Sequence, residues 1–295
     1  MRVWRKTWLP GLVCLSLIWI LCHSCMTFRM SRKELQHFLD TKTINGSHHF
    51  YTAESRTLHY AQAGDTTKPL MLFVHGSPGS LSAFTHFLAD SVLTANALLI
   101  TADRPGFGHA GLGVAEPSLE QQAKMLKPIL EKHQNNRPIV LIGHSLGGPV
   151  VARMAMDFPD LVDGLVLVAP SIDPNLEPNE MWFRAPLATP FLSWILPRSF
   201  RASNEEIYHL KPQLEELKSQ WKMISCPVTV VQGGKDSFVP AGNANFAKAE
   251  LINANVSVVL EPNANHFIPW NRPELIRQAI LEFLPDKPAG VYSNE

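Results

Sequence analysis

An α/β fold built on a mostly parallel sheet, with helices on both faces, is predicted by three features of this 295-residue chain. Continuous apolar runs ending in glycine or small polar residues recur along it, the pattern of strands buried on both faces. Segments of helical periodicity alternate with those runs, as a parallel sheet with crossover helices requires. The composition, 45% hydrophobic and 18% charged, supplies a sizeable core and argues against disorder.

The elements follow in order along the sequence. Residues 48–62, "HHFYTAESRTLHYAQ", read as two short strands broken at "ESR". "KPLMLFVHG" is the first buried strand, followed by a helical stretch, "SAFTHFLADSVLT". "ANALLITADRPGFGH" gives a second buried strand and a Gly/Pro loop. "SLEQQAKMLKPILEKH" is helical, with Ser118 placed to cap it. "RPIVLIGHS" is a strand and "GGPVVARMAMDFP" a helix, where Pro149 is tolerated because it falls in the first turn. "DGLVLVAPS", "CPVTVVQGG" and "NVSVVLEP" supply three more strands, and "RPELIRQAILEFL" a closing amphipathic helix. These divide the core into residues 48–172 and 225–286, with a tail at 287–295. The intervening stretch 173–224 is too long for a plain crossover and too apolar for a disordered linker. It is expected to form a helical cap over the C-terminal edge of the sheet. Its Met181, Trp182, Phe183, Phe191, Trp194, Leu196 and Tyr208 either line a pocket beneath that cap or pack against the sheet.

Residues 1–30 read as a leader outside the fold. "MRVWRK" is a basic start, and "GLVCLSLIWILC" is an apolar run of about a dozen residues, short of the roughly 20 that a spanning helix needs. "LCHSC" then resembles the end of a lipoprotein signal, with Cys25 as the lipidation candidate, although Cys22 stands where such signals usually carry leucine. An uncleaved signal anchor and ordinary cleavage are the alternatives. All three place the body outside the cytoplasm, membrane-anchored in the first two cases and secreted or periplasmic in the third. Of four cysteines only Cys226 lies in the body, so no disulfide within the body is expected. The zero net charge offers no footprint for nucleic acid. No Cys/His cluster has metal-ligand spacing.

Gly143-His144-Ser145-Leu146-Gly147 fits G-x-S-x-G, which lifts a serine above a sheet on a sharp strand-to-helix turn. Bulky residues at the flanking positions would collide there. A serine hydroxyl is a weak nucleophile, so it needs a general base, and that base needs an orienting carboxylate. Asp236, in "GGKDSFVP", and His266, in "NANHFIPW", both follow strands and lie on the same rim as Ser145. Asp173, in "PSID", is a rival for the acid and Glu261 a more distant one. Acyl transfer also needs N–H donors aimed at the developing oxyanion, worth about 3 kcal/mol each. Leu146, directly after the nucleophile, offers one. The loop His75-Gly76-Ser77-Pro78-Gly79 offers the other: Pro78 has no N–H, so Ser77 is the expected donor, with His75 and Gly76 supporting the loop.

With "HGSPG", "DRPGFG", "GHSLGG", "GGKDSFVP" and "NHFIPW" in place, the chain resembles a capped α/β-hydrolase of the H-G-x-P type over residues 57–284. That group contains esterases, epoxide hydrolases, dehalogenases and haloperoxidase-like enzymes. In such enzymes Asp103 and Arg104 of the "DRPGFG" loop are mainly architectural, and His144 packs beside the nucleophile. Epoxide hydrolases and dehalogenases carry aspartate at the elbow, whereas serine suits acyl transfer. The resemblance therefore implies a serine esterase with no cofactor and no metal, acting on a small-molecule ester or acyl substrate. Carbon–carbon bond hydrolysis of a dienoate and perhydrolase activity run on similar triads. A binding module that has lost catalysis is the alternative from outside enzymology, although such modules typically lose a triad member. Lipids, short-chain esters and xenobiotics are all compatible substrates.

Overall fold

The structure, a computed structural model, describes residues 26–284 together with Gly11, Val13, Cys14 and Trp19. The lipidation candidate Cys25 and the tail 287–295 lie outside the described residues. A short helix, α1 (Arg32–Lys42), precedes the sheet and was not anticipated. Its start is nonetheless written in the sequence as a capping box, in which Ser31 and Glu34 satisfy each other's backbone N–H groups. The two predicted strands follow as β1 (Ser47–Ala53) and β2 (Arg56–Ala63), which pair antiparallel as a hairpin. The buried strands are β3 (Leu70–Val74), β4 (Leu98–Asp103), β5 (Ile139–His144), β6 (Gly164–Val168) and β7 (Val228–Gly233), with β8 (Val256–Glu261) at the edge.

All eight join one sheet in the order β1-β2-β4-β3-β5-β6-β7-β8, antiparallel through β1, β2 and β4 and parallel from β4 onward. Side chains of each central strand alternate between two cores. Leu70, Leu72 and Val74 face α4 (Leu119–Lys132) and α5 (Gly147–Asp157), while Met71 and Phe73 face α1 and α8 (Pro273–Leu281). The chain reverses direction across the sheet between β3 and β5, so the loops after these two strands emerge side by side. A topological switch point of this kind is where open α/β sheets bind ligands.

Two expectations are corrected. The helical stretch after β3 is broken into α2 (Thr85–Leu88) and α3 (Ser91–Asn96), because the Asp90 side chain accepts the Val92 and Leu93 N–H groups and starts a new helix. Residues 26–30, read with the leader, pack on the body: Met30 N–H donates to Ser82 Oγ at 2.9 Å and Ser80 Oγ donates to the Phe28 carbonyl at 2.5 Å. The insertion forms α6 (Met181–Ala188) and the long α7 (Arg198–Leu217), and its end packs into the core of the sheet. Leu210, Leu214, Leu217 and Trp221 recur at helical spacing, are fully buried and join the core beneath β6 and β7. Among the described residues no helix is long and apolar enough to cross a membrane.

Candidate active site

Between β5 and α5 the chain turns so tightly that Ser145 adopts φ 53°, a left-handed conformation uncommon for a non-glycine residue. Its N–H donates to the Val168 carbonyl, and its own carbonyl accepts from Gly148. The flanking glycines are required by space. A Cβ on Gly143 would lie 2.5 Å from the Gly147 carbonyl oxygen, and one on Gly147 would lie 2.3 Å from the Val74 carbonyl oxygen. The α5 N-terminus therefore abuts the end of β3 with no room for a side chain.

The neighbouring loop approaches as closely. A Cβ on Gly76 would fall 2.9 Å from Ser145 Cβ, which sets the H-G-S-P loop against the serine. Within that loop the Ser77–Pro78 bond is cis. Among the described residues, neither the Ser77 nor the Leu146 N–H has a hydrogen-bond partner. Both residues line the cavity that contains Ser145.

His266 follows β8 and Asp236 follows β7. The imidazole Nδ1 lies 2.8 Å from Asp236 Oδ2, while Asp236 Oδ1 accepts the N–H groups of Phe238 and Val239. The carboxylate is thus fully engaged and fully buried, and with Nδ1 occupied, Nε2 is the nitrogen left for chemistry. Asp173 instead accepts the Asn175 N–H within its own turn, and Glu261 pairs with Arg272. His144 braces the base. Its Nε2 lies 3.0 Å from the His266 carbonyl, so the ring donates there and steadies the loop bearing the imidazole.

Two buried rings make the site acid-sensitive. Burial, reinforced by the Arg104 guanidinium, holds His75 down to about 3. Burial and the neighbouring His266 hold His144 to about 3 as well. In the unfolded chain each ring takes up a proton near 6.5. Their contribution to stability is therefore complete above pH 6.5 and is lost as pH falls toward 3, because the unfolded state alone binds protons in that window. At pH 5 this amounts to about 2 kcal/mol per ring. The melting temperature is expected to drop by about 10 °C between pH 7.5 and pH 5; thermal melts showing no drop would contradict the burial of these two rings.

Ser145, His266, Ser77 and Leu146 share the wall of one cavity of about 780 Å³, within the usual range for small-molecule sites. None of the seven residues of the insertion named as pocket candidates lines it. Trp182 and Phe191 are instead 80% and 86% exposed. Phe200, Ile207 and Leu210 of α7 take the inner positions, spaced at i, i+7 and i+10 on one helix face. Phe28 also enters the wall, edge-on to Phe200 at 5.5 Å. Nothing in the sequence marks it, since it stands directly after the leader. If the chain is an ester hydrolase whose acyl chains lie along the Phe28–Phe200 pair, Phe28→Ala should lower kcat/KM for long-acyl esters about tenfold, with short ones changed less than twofold. An acyl-length series on the variant measures this, and a uniform loss at all lengths would place Phe28 outside the substrate path.

Strand order and serine turn together give the chain the α/β-hydrolase fold, and a family model described as "alpha/beta hydrolase fold" matches residues 69–192. Among curated proteins, the chain is 23% identical over 259 residues to the sn-1-specific diacylglycerol lipase ABHD11 of Mus musculus, covering 75% of this chain and 82% of that one. It is 22% identical over 265 residues to a 2-hydroxy-6-oxononadienedioate/2-hydroxy-6-oxononatrienedioate hydrolase of a Pseudomonas species, covering 77% and 92%. A solved structure of a bacterial membrane phospholipase A superposes with TM-score 0.60 at 20% identity, covering 94% of this chain and 97% of that one. At such identities the likeness establishes the fold, and chemistry must be argued from the site.

Proposed function

We propose that this chain is a serine hydrolase that cleaves uncharged carboxylic esters through an acyl-enzyme. The observation that carries the proposal is a single cavity in which the strained Ser145 and an imidazole locked to Asp236 stand in one wall. In this mechanism Ser145 Oγ attacks the acyl carbon while His266 Nε2 takes its proton. The N–H groups of Leu146 and Ser77 receive the oxyanion, and the imidazolium then protonates the departing alkoxide. Water, deprotonated by the same ring, releases the acid and regenerates the serine. The overall change is ester plus water to acid plus alcohol.

The polar part of the cavity supports an uncharged substrate. Glu177 and Glu180 both line it, and Arg184, the one lysine or arginine in the wall among the described residues, is bound to Glu180 through Nε at 2.7 Å. Burial raises the Glu177 carboxyl above the ordinary carboxylate range. A dioate, as in the name of the Pseudomonas relative, would meet two carboxyl side chains and a cation already neutralised. The apolar remainder, including Phe28, Phe200 and Leu210, suits an acyl chain. We further propose that the leader tethers the body outside the cytoplasm; palmitate labelling lost in Cys25→Ala would identify lipid as the tether.

A fluorophosphonate probe tests the chemistry. Wild type should label and Ser145→Ala should not, and p-nitrophenyl esters should be turned over where a ring-cleavage dienoate is not. Failure of wild type to label beside a reactive control hydrolase would refute the proposal. Turnover of the dienoate alone would move the activity to carbon–carbon hydrolysis.

A further inference from the structure

A buried carboxylate on α7 touches the H-G-S-P loop at Ser77, which lines the cavity and whose N–H has no hydrogen-bond partner among the described residues. Glu206, on α7, is 1% exposed and Arg104, after β4, is 0% exposed. The two form a bidentate pair, Nη1 to Oε1 at 2.6 Å and Nη2 to Oε2 at 3.0 Å. Gln122 of α4 donates to Glu206 Oε1 at 2.9 Å, and Ser77 Oγ donates to Oε2 at 2.9 Å. Arg104 Nη1 also donates to Gln122 Oε1 at 2.9 Å, and two further donors reach the same loop, Nε to the His75 carbonyl at 2.8 Å and Nη2 to the Gly76 carbonyl at 3.1 Å. The Arg104 backbone N–H donates to His75 Nε2 at 3.0 Å.

Three consecutive residues are therefore held by one ion pair: His75 and Gly76 through their carbonyls, Ser77 through its hydroxyl. Stability alone does not account for such a device, because well-packed apolar residues of similar volume often do as well as a buried pair. What the pair supplies is a fixed direction for the Ser77 backbone, and electrostatic stabilisation of a transition state depends on donors already in place. The helix carrying Glu206 also places Phe200, Ile207 and Leu210 in the cavity. Pocket wall and oxyanion loop thus share one rigid support.

From these contacts we infer that Glu206 is a positioning residue: through Ser77 Oγ and Arg104 it aims the Ser77 N–H at the oxyanion, so that the cap completes the catalytic site. The inference rests on the acyl-transfer mechanism proposed above. Its test uses Ser77→Ala, which removes the hydroxyl link while keeping both the backbone N–H and the Arg104–Glu206 pair, and Glu206→Gln. Ser77→Ala should lower kcat about tenfold with KM changed less than twofold, the pattern of an interaction made in the transition state only. Affinity for a trifluoromethyl ketone, which forms a tetrahedral adduct on serine, should fall in parallel, with the melting temperature unchanged. Glu206→Gln should lose at least as much kcat, and adding Ser77→Ala to it should cost little more, because the two act through one contact. If Glu206→Gln does not fold, Ser77→Ala decides alone. Full kcat and unchanged ketone affinity in Ser77→Ala, with wild type labelled by fluorophosphonate, would overturn the positioning role and leave the hydrolase proposal standing. Wild type that does not label overturns both.

Discussion

Ser145→Ala is expected to lower kcat for an activated short-chain ester by about a million-fold, leaving only what binding and the oxyanion donors supply. The residue contributes little to packing: it is half-buried, on a turn whose strain is set by the chain on either side of it. The variant should therefore fold and melt like wild type, which makes the loss interpretable. His266→Ala should fall to within about tenfold of the same level, and the double variant should be no worse, since nucleophile and base act as a unit. Steady-state turnover of p-nitrophenyl acetate, normalised to active sites titrated in wild type, measures this. Retention of more than about 1% of activity in Ser145→Ala would exclude it as the nucleophile.

Asp236→Asn is expected to lower kcat by about 10⁴-fold while preserving the fold. The asparagine oxygen can still accept the Phe238 and Val239 N–H groups that Oδ1 now accepts, so the loop stays in place. Its amide would face His266 Nδ1 with a donor where Oδ2 now accepts, which reverses the favoured tautomer and puts the ring proton on Nε2. A protonated Nε2 cannot receive the serine proton. Asp173→Asn is the control, because that carboxylate is occupied within its own turn and should change kcat less than threefold. An equal loss in both variants would mean that the acid belongs to a different strand.

Much of this site was legible because its constraints are local. G-x-S-x-G between a buried strand and a helix specifies the Ser145 turn through sterics that any five-residue window carries. His266 and Asp236 were placed by order and by the strands preceding them. The insertion was harder to read. Apolar content indicated a folded insertion, yet which face of α6 and α7 turns inward depends on how the insertion seats on the core, and Trp182 and Phe191 ended outside. Glu206 carries a signal of its own: on α7 it occupies a stripe otherwise held by Ala202, Leu210, Leu214 and Leu217. A carboxylate in such a stripe needs a buried cation, and Arg104 in "DRPGFG", expected to be merely architectural, was the available one. The capping box at Ser31 was equally local and equally visible. Phe28 had no such mark, since its role depends on residues far away in sequence.

The placement of that ring bears on how substrate arrives. Phe28 stands three residues beyond Cys25, a stretch that can reach no more than about 10 Å. If lipid on Cys25 tethers the chain, as proposed above, the cavity wall at Phe28 would lie within that reach of the leaflet surface, close enough for an ester to slide in edgewise without dissolving first. Turnover would then follow how much substrate partitions into the lipid, and a protein clipped at residue 31 would lose both the grip and part of the doorway.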